Sequence, residues 1–332
     1  MAIETGVPHG RYATVALADD RIRLELVPEL GAKVVSLVDL ESGRDWLTHG
    51  EPPPWAGDAD AAFGGPVAYG WDECLPTISP CPDPVFGGML RDHGDLWGRP
   101  TRVDVSDGLL DAAWDGLRWP FHLRRRLRLS GPGEAPAVVA AYELQNRGLQ
   151  PLPLLWSMHP LLALGPGSRL HLVGLDGGLR LDHQVGLDLE GAHEAVDWPV
   201  ARTTDGESVR LDEVRGPEAR QALKLYGKPA ISSRAAAETT DGSWLGFEWD
   251  VAAAPYVGLW LDHGGWPPDR PSPQVGIEPS TAGVDDLTVA IARGEAVELP
   301  PRGRLTWTVR LELGREAGSL EAFLGARPAA AG

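Results

Sequence analysis

Apolar and polar residues alternate with period two through much of the chain, and helical periodicity is nearly absent. From 304 to 313, Leu305, Trp307, Val309, Leu311 and Leu313 alternate unbroken with Arg304, Thr306, Thr308, Arg310 and Glu312. Such a segment sets one face on a core and the other in water. Ile22, Leu24 and Leu26 alternate with Arg21, Arg23 and Glu25, and Leu127 and Leu129 with Arg126 and Arg128. Further strands are predicted at 33–40, 137–144, 153–158, 244–249 and 256–262, bounded by Gly, Pro, Asp and Ser. One helix is predicted over 315–325, where Leu320, Phe323 and Leu324 give a short apolar face, and the segment Pro328 to Gly332 is expected to fray. The 41 Gly and 30 Pro are spread along the chain instead of pooled in one linker, as many short strands with a turn each require. The expectation is an all-β fold, a large antiparallel sandwich forming a single domain over 1–332, with loops converging on a cleft.

Composition narrows the partners. With 30 Lys and Arg against 47 Asp and Glu, the net charge of −17 repels a phosphate backbone and an anionic membrane surface, so neither nucleic acid nor membrane is expected. The run HLRRRLRL at 122–129 alternates, and is expected to be a solvated strand face. MAIETGVPHGRYATVALADD lacks the pattern of a secretory leader and no apolar run reaches about 18 residues, so a cytoplasmic location is expected. Cys74 and Cys81 are then thiols, acting as small buried hydrophobes.

Two ionisable residues stand out in apolar surroundings: His159 in LLWSMHPLLAL (154–164) and Glu278 in QVGIEPSTAGVDDL (274–287). Each precedes a proline, which is expected to limit how its strand continues. Burial moves the His pKa down and the Glu pKa up, so that an acid and a base can operate near neutral pH. GWDECLPTISP (70–80) and RDHGDLWGRP (91–100) crowd Trp, acids and His93 among Gly and Pro, and are expected to be loops. No phosphate-binding, dinucleotide-binding or nucleophile-elbow motif occurs, so no cofactor is expected.

LELVPELGAKVVSLVD (24–39), the WSMHP histidine, PYVGLWLDHGGW (255–266) and GIEPSTAGVDDL (276–287), taken in that order, resemble the aldose 1-epimerase, or galactose mutarotase-like, superfamily. The resemblance implies a β-supersandwich with a sugar cleft on its concave sheet, and ring opening by one Glu and two His. Matched by motif, Glu278 is the base, His159 the central-strand acid and His93 the earlier loop histidine. DHGDLWG differs from the Gly/Asn-rich loop of the better-known galactose mutarotases, which marks a divergent branch and leaves the sugar open. The chemistry suits these residue types: anomer exchange needs a proton taken from O1 while the ring oxygen receives one, and neither metal nor nucleotide takes part.

Among the 13 Trp, Trp71 and Trp260 are expected to stack on a pyranose, with Asp72, Glu73 and Asp262 beside them accepting its hydroxyls. Arg91 either recognises an anionic substituent on the sugar or pairs with Asp92 at the surface. Two alternatives stay open. One is a non-catalytic carbohydrate-binding protein on the same fold. The other is a metal-dependent sugar isomerase or hydrolase using Asp72, Asp92, His93, His159 and Glu278, a hard donor set that suits Ca or Mn.

Overall fold

The structure, a computed structural model, describes residues 2–53, 56–58, 61–191, 195–229 and 233–325; the tail expected to fray lies outside them. Among the described residues, two large antiparallel sheets face each other. The first has eleven strands, and from its middle to one edge it runs Lys33–Asp39, Trp71–Cys74, Ser157–Leu162, Gln274–Ser280, Tyr256–His263, Gln221–Gly227 and Arg180–Val185. The second has eight, with Ser243–Trp249, Arg304–Arg315, Ala137–Asn146 and Phe121–Leu129 at its middle. One apolar cluster fills the space between them, fed by alternate residues of both sheets: Leu24 and Ile277 from the first, Leu127, Phe247, Val309 and Leu311 from the second. No described helix is long and apolar enough to cross a membrane.

Most predicted strands are present, and Cys74 and Cys81 are free and buried. The predicted helix forms over Ala317–Gly325. A second helix, Leu287–Arg293, was not expected. Its amide ends are capped by the Asp286 side chain, which accepts from the Thr288 and Val289 N–H groups, and Gly294 closes it in the left-handed conformation.

Four expectations are corrected. The 153–158 segment is two elements: Leu152–Leu154 pairs with Val297–Leu299 in a small separate sheet, and Ser157–Leu162 enters the large one. GWDEC is not a loop, because Trp71–Cys74 is a fully buried strand of the large sheet. Pro160 and Pro279 do not end their strands but lie inside them. The HLRRRLRL run is not all solvated: Arg124, Arg126 and Arg128 point outward, but pleating turns Arg125 into the core, where it is 1% exposed.

Arg125 is tolerated there because its charge is met. Its guanidinium donates to Glu73 Oε1 at 2.9 Å and to the Ala32 carbonyl at 2.6 Å, and lies over the Trp71 ring at 4.9 Å. Glu73 also accepts from Trp71 Nε1 at 3.0 Å, Tyr142 Oη at 2.8 Å and Trp156 Nε1 at 2.9 Å. Burial still pushes the Glu73 carboxyl above the usual carboxylate range, against the pull of these donors. Removing one partner strands the other charge. Arg125→Met is therefore expected to cost about 3–5 kcal/mol of unfolding free energy in urea; a loss below about 1 kcal/mol, the scale of a surface pair, would show that the pair does not hold the sheets.

Candidate active site

The Ser157–Leu162 strand lies between the Trp71–Cys74 and Gln274–Ser280 strands, and register decides which side chains meet. His159 is opposite Asp72. Ser157 pairs with Ser280 and Leu161 with Gly276, which sets His159 opposite Glu278. Between those two pairs stand Pro160 and Pro279, which have no N–H to give the ladder. On the other side of Glu278 lies Gly258, and beyond it Lys224 is registered with Trp260.

The outer face of the large sheet thus carries a polar row, Lys33, Asp72, His159, Glu278 and Lys224. Lys33 Nζ donates to Asp72, and to the Tyr69 carbonyl at 2.7 Å. Lys224 Nζ donates to Glu278 Oε2 and stands 3.7 Å from Asp285 Oδ1, while the Tyr226 hydroxyl donates to Asp285. Glu278 Oε1 has no hydrogen-bond partner among the described residues and lies 3.9 Å from His159 Nε2. His159 Nδ1 is likewise unpartnered. Of the two glycines beside this carboxylate, Gly276 makes room for it and Gly258 chiefly for the Tyr226 ring. A Cβ on Gly276 would stand 2.6 Å from Glu278 Oε1, and one on Gly258 would stand 3.4 Å from Oε2.

His93 arrives from a loop. Its backbone is left-handed, with φ 57°, and its Nδ1 lies 2.8 Å from Asp92 Oδ1. The ring stacks on Phe63 at 3.6 Å between centroids and meets the His159 ring edge-on at 4.8 Å. His93, His159, Lys224 and Trp260 line a cavity of about 300 Å³, together with Phe63, Trp266, Gln274, Asp182 and Asp285. Glu278 has no exposed surface and does not itself line the cavity; it lies behind the lining residues His159 and Lys224, which it faces.

Burial sets the charges. It pushes the Glu278 carboxyl up, with Lys224 pulling the other way, and pushes His159 well below its ordinary value, an effect to which His93, Lys224 and Lys33 add. Burial also works against the Lys224 ammonium, but Asp285 and Glu278 outweigh it and hold the proton on. Asp182 is raised to about 6, by burial and then by Asp285.

The sequence-predicted residues divide. Glu278, His159, His93 and Trp260 come together. Asp262, two positions along from Trp260 and 1% exposed, accepts from the Gly265 and Trp266 N–H groups at 2.9 and 3.1 Å and so fixes the turn that carries Trp266; burial raises it to about 6. Trp71 and Glu73 are not in the cleft, because alternation turns them to the inter-sheet core. Asp72 shares the face of His159 but is buried under its bond to Lys33 and forms no part of the cavity wall. Arg91 fits neither of its readings. It lies 3.8 Å over Trp97 and donates to the carbonyls of Trp97 and Asp58, while Asp92 is taken by His93. The proposed metal set does not converge either: Asp72 and Glu278 are bound to lysines, and among the described residues no group of three or more His, Cys, Asp or Glu is disposed to hold an ion.

Sequence reasoning missed Lys224 and Lys33, although a lone lysine in ALKLYG or GAKVV is a signal of the same kind as His159. Phe63, Trp266 and Gln274 carry no such signal.

No family model and no curated protein matches the sequence. Solved structures do match in fold. A Synechocystis sp. PCC 6803 protein superposes with a TM-score of 0.67 at 16% identity, covering 94% of this chain and 99% of its own. A galactose mutarotase-like protein from Clostridium acetobutylicum gives 0.64 at 14%, covering 95% and 99%. A galactose mutarotase related enzyme from Lactobacillus acidophilus gives 0.61 at 12%, covering 91% and 97%. At these identities the likeness is one of fold: the chain has the galactose mutarotase-like β-sandwich.

The glycine geometry is testable. Gly276→Ala is expected to drive the Glu278 carboxylate away from His159 while the strand stays paired, since the added Cβ meets a movable side-chain end. A crystal structure of the variant with Oε1 still beside His159 Nε2 would contradict this.

Proposed function

We propose that the protein is a cofactor-independent aldose mutarotase, acting as one catalytic domain in the cytoplasm and interconverting α and β anomers by general acid–base ring opening. The observation that carries this reading is the buried pair Glu278 Oε1 and His159 Nε2, 3.9 Å apart, in which His159 lines a cavity walled by Trp260 and Glu278 stands directly behind it. The mutarotase-like names of the structural neighbours support it.

A sugar lying on this pair opens as follows. Glu278 Oε1 takes the proton of O1–H, the C1–O1 bond becomes a carbonyl, and the C1–O5 electron pair leaves on the ring oxygen, which takes a proton from His159 Nε2. Burial favours the neutral imidazole, so the imidazolium needed for this step draws its counter-charge from the facing Glu278 carboxylate. After rotation about C1–C2, His159 takes back the O5 proton as O5 attacks the other face, and Glu278 returns its proton to O1. Nothing is consumed. In this reading His93, edge-on to His159, polarises the ring oxygen, and Trp260 offers its face to the apolar side of the sugar.

Glu278→Gln is expected to abolish catalysed exchange of α-D-glucose or α-D-galactose, followed by polarimetry against the spontaneous rate, while leaving the protein folded. Activity within a few-fold of wild type would remove Glu278 from the mechanism. His159→Asn should cost about 10²-fold or more, and His93→Ala should lower turnover without unfolding the chain. Because Glu278 works ionised and burial raises its pKa, kcat/KM should fall as pH drops through a value above the ordinary glutamate pKa of about 4.3; an acidic limb below that value counts against the assignment. EDTA treatment followed by desalting should leave the rate unchanged, whereas a loss restored by Ca²⁺ or Mn²⁺ alone would favour the metal-dependent alternative.

A further inference from the structure

We propose that Lys224 is the built-in counter-cation of the base: it ties down one oxygen of Glu278, keeps the other free and ionised for the proton, and is not a receptor for an acidic group on the sugar. This rests on the reading of Glu278 as the base.

Lys224 lies mid-strand in QALKLYG and is 3% exposed. A buried ammonium persists only where its charge is met. Here two carboxylates from different segments meet it, Glu278 by a direct hydrogen bond and Asp285 at 3.7 Å, and the Tyr226 ring face lies 5.4 Å from Nζ. Asp285 is itself held by the Tyr226 hydroxyl. The ammonium therefore has no unbalanced charge left for a ligand. Lys224 is also the one Lys or Arg among the described residues lining the cavity, whose wall carries Asp92, Asp182 and Asp285 as well. A phosphate or carboxylate entering there meets more negative than positive charge.

Because Lys224 engages Oε2, the proton-accepting role falls to Oε1, the atom that faces His159 and has no hydrogen-bond partner among the described residues. Of the other titratable groups around the pair, Asp285 opposes ionisation of Glu278, His93 and the facing His159 favour it when charged, Asp72 is met by Lys33, and burial keeps Cys74 and Tyr226 protonated and neutral. Without Lys224 the balance tips to Asp285. An opposite charge at this distance moves a carboxyl by about 1–3 pH units, so its loss raises the Glu278 midpoint by that amount, and a base that is protonated at neutral pH is lost.

The test is ¹³C NMR of protein labelled at glutamate Cδ, with the Glu278 resonance identified by its absence from Glu278→Gln. It needs no substrate, so its outcome is independent of whether the protein is a mutarotase. In the wild type Glu278 should be ionised at pH 7; in Lys224→Met its midpoint should rise by about 1–3 pH units, and Lys224→Arg should restore most of the difference. The acidic limb of anomer exchange with α-D-glucose and α-D-galactose should move with the NMR midpoint, and with α-D-glucose 6-phosphate Lys224→Met should cause no selective rise in KM. A neutral Glu278 at pH 7 in the wild type overturns the proposal, and that measurement decides it even where Lys224→Met fails to fold. An unchanged midpoint in a folded Lys224→Met, or a KM effect confined to the 6-phosphate, overturns it too. If no aldose is accelerated by the wild type, the mutarotase reading falls and the titration still decides the ion pair.

Discussion

Between the two sheets, Glu73 gathers donors from Trp71, Arg125, Tyr142 and Trp156, and the arrangement of the site depends on this one carboxylate. Tyr142 and Arg125 belong to the eight-stranded sheet, whereas Trp156 immediately precedes the strand of His159. Pinning Glu73 inward pins Asp72 outward, because successive residues of a strand face opposite ways. The same register puts Met158 opposite Glu73 and His159 opposite Asp72. A slip of one residue would turn the imidazole into the hydrocarbon core and a methionine into the cavity.

On the outward face the charges follow a near-symmetric order. Each carboxylate is bonded to a lysine on the side away from His159, Asp72 to Lys33 and Glu278 to Lys224. His159 stands between two such pairs, its Nε2 3.9 Å from Glu278 Oε1, and burial pushes its pKa well below the ordinary value. Fixed, oppositely charged groups in a site screened from water act more strongly than they would in solvent and need no reorganisation when charge shifts between neighbours. The indoles of Trp260 and Trp266, 6.0 Å apart and nearly perpendicular, leave the apolar side of the cavity to contacts without charge.

Much of this was legible in the sequence. Period-two alternation located most strands, and the isolation of His159 and Glu278 among apolar neighbours marked the two groups that face each other. What escaped was the direction in which a polar side chain points when its partner is far along the chain. Arg125 looks like its solvated neighbours until Glu73, 52 positions away, is brought beneath it. Lys224 looks like an ordinary strand lysine until Glu278, 54 positions on, closes the pair. Trp71 sits beside acids as Trp260 does, yet one faces the core and the other the cavity, a difference set by sheet pairing and not by local composition. The prolines misled for a related reason: a missing N–H breaks a strand only where the ladder needs that donor.

The bare backbone on either side of Glu278 extends beyond this molecule. At Gly276 the carboxylate occupies the space that a side chain would fill, whereas at Gly258 the Tyr226 ring comes closest. The acid and Gly276 are therefore one steric unit. Overall identity among the structural neighbours cited is only 12–16% and says little about shared chemistry. A small residue two positions upstream of the acid is a compact fingerprint, by which chains that keep the carboxylate in this pose can be sorted from chains that keep only the sandwich.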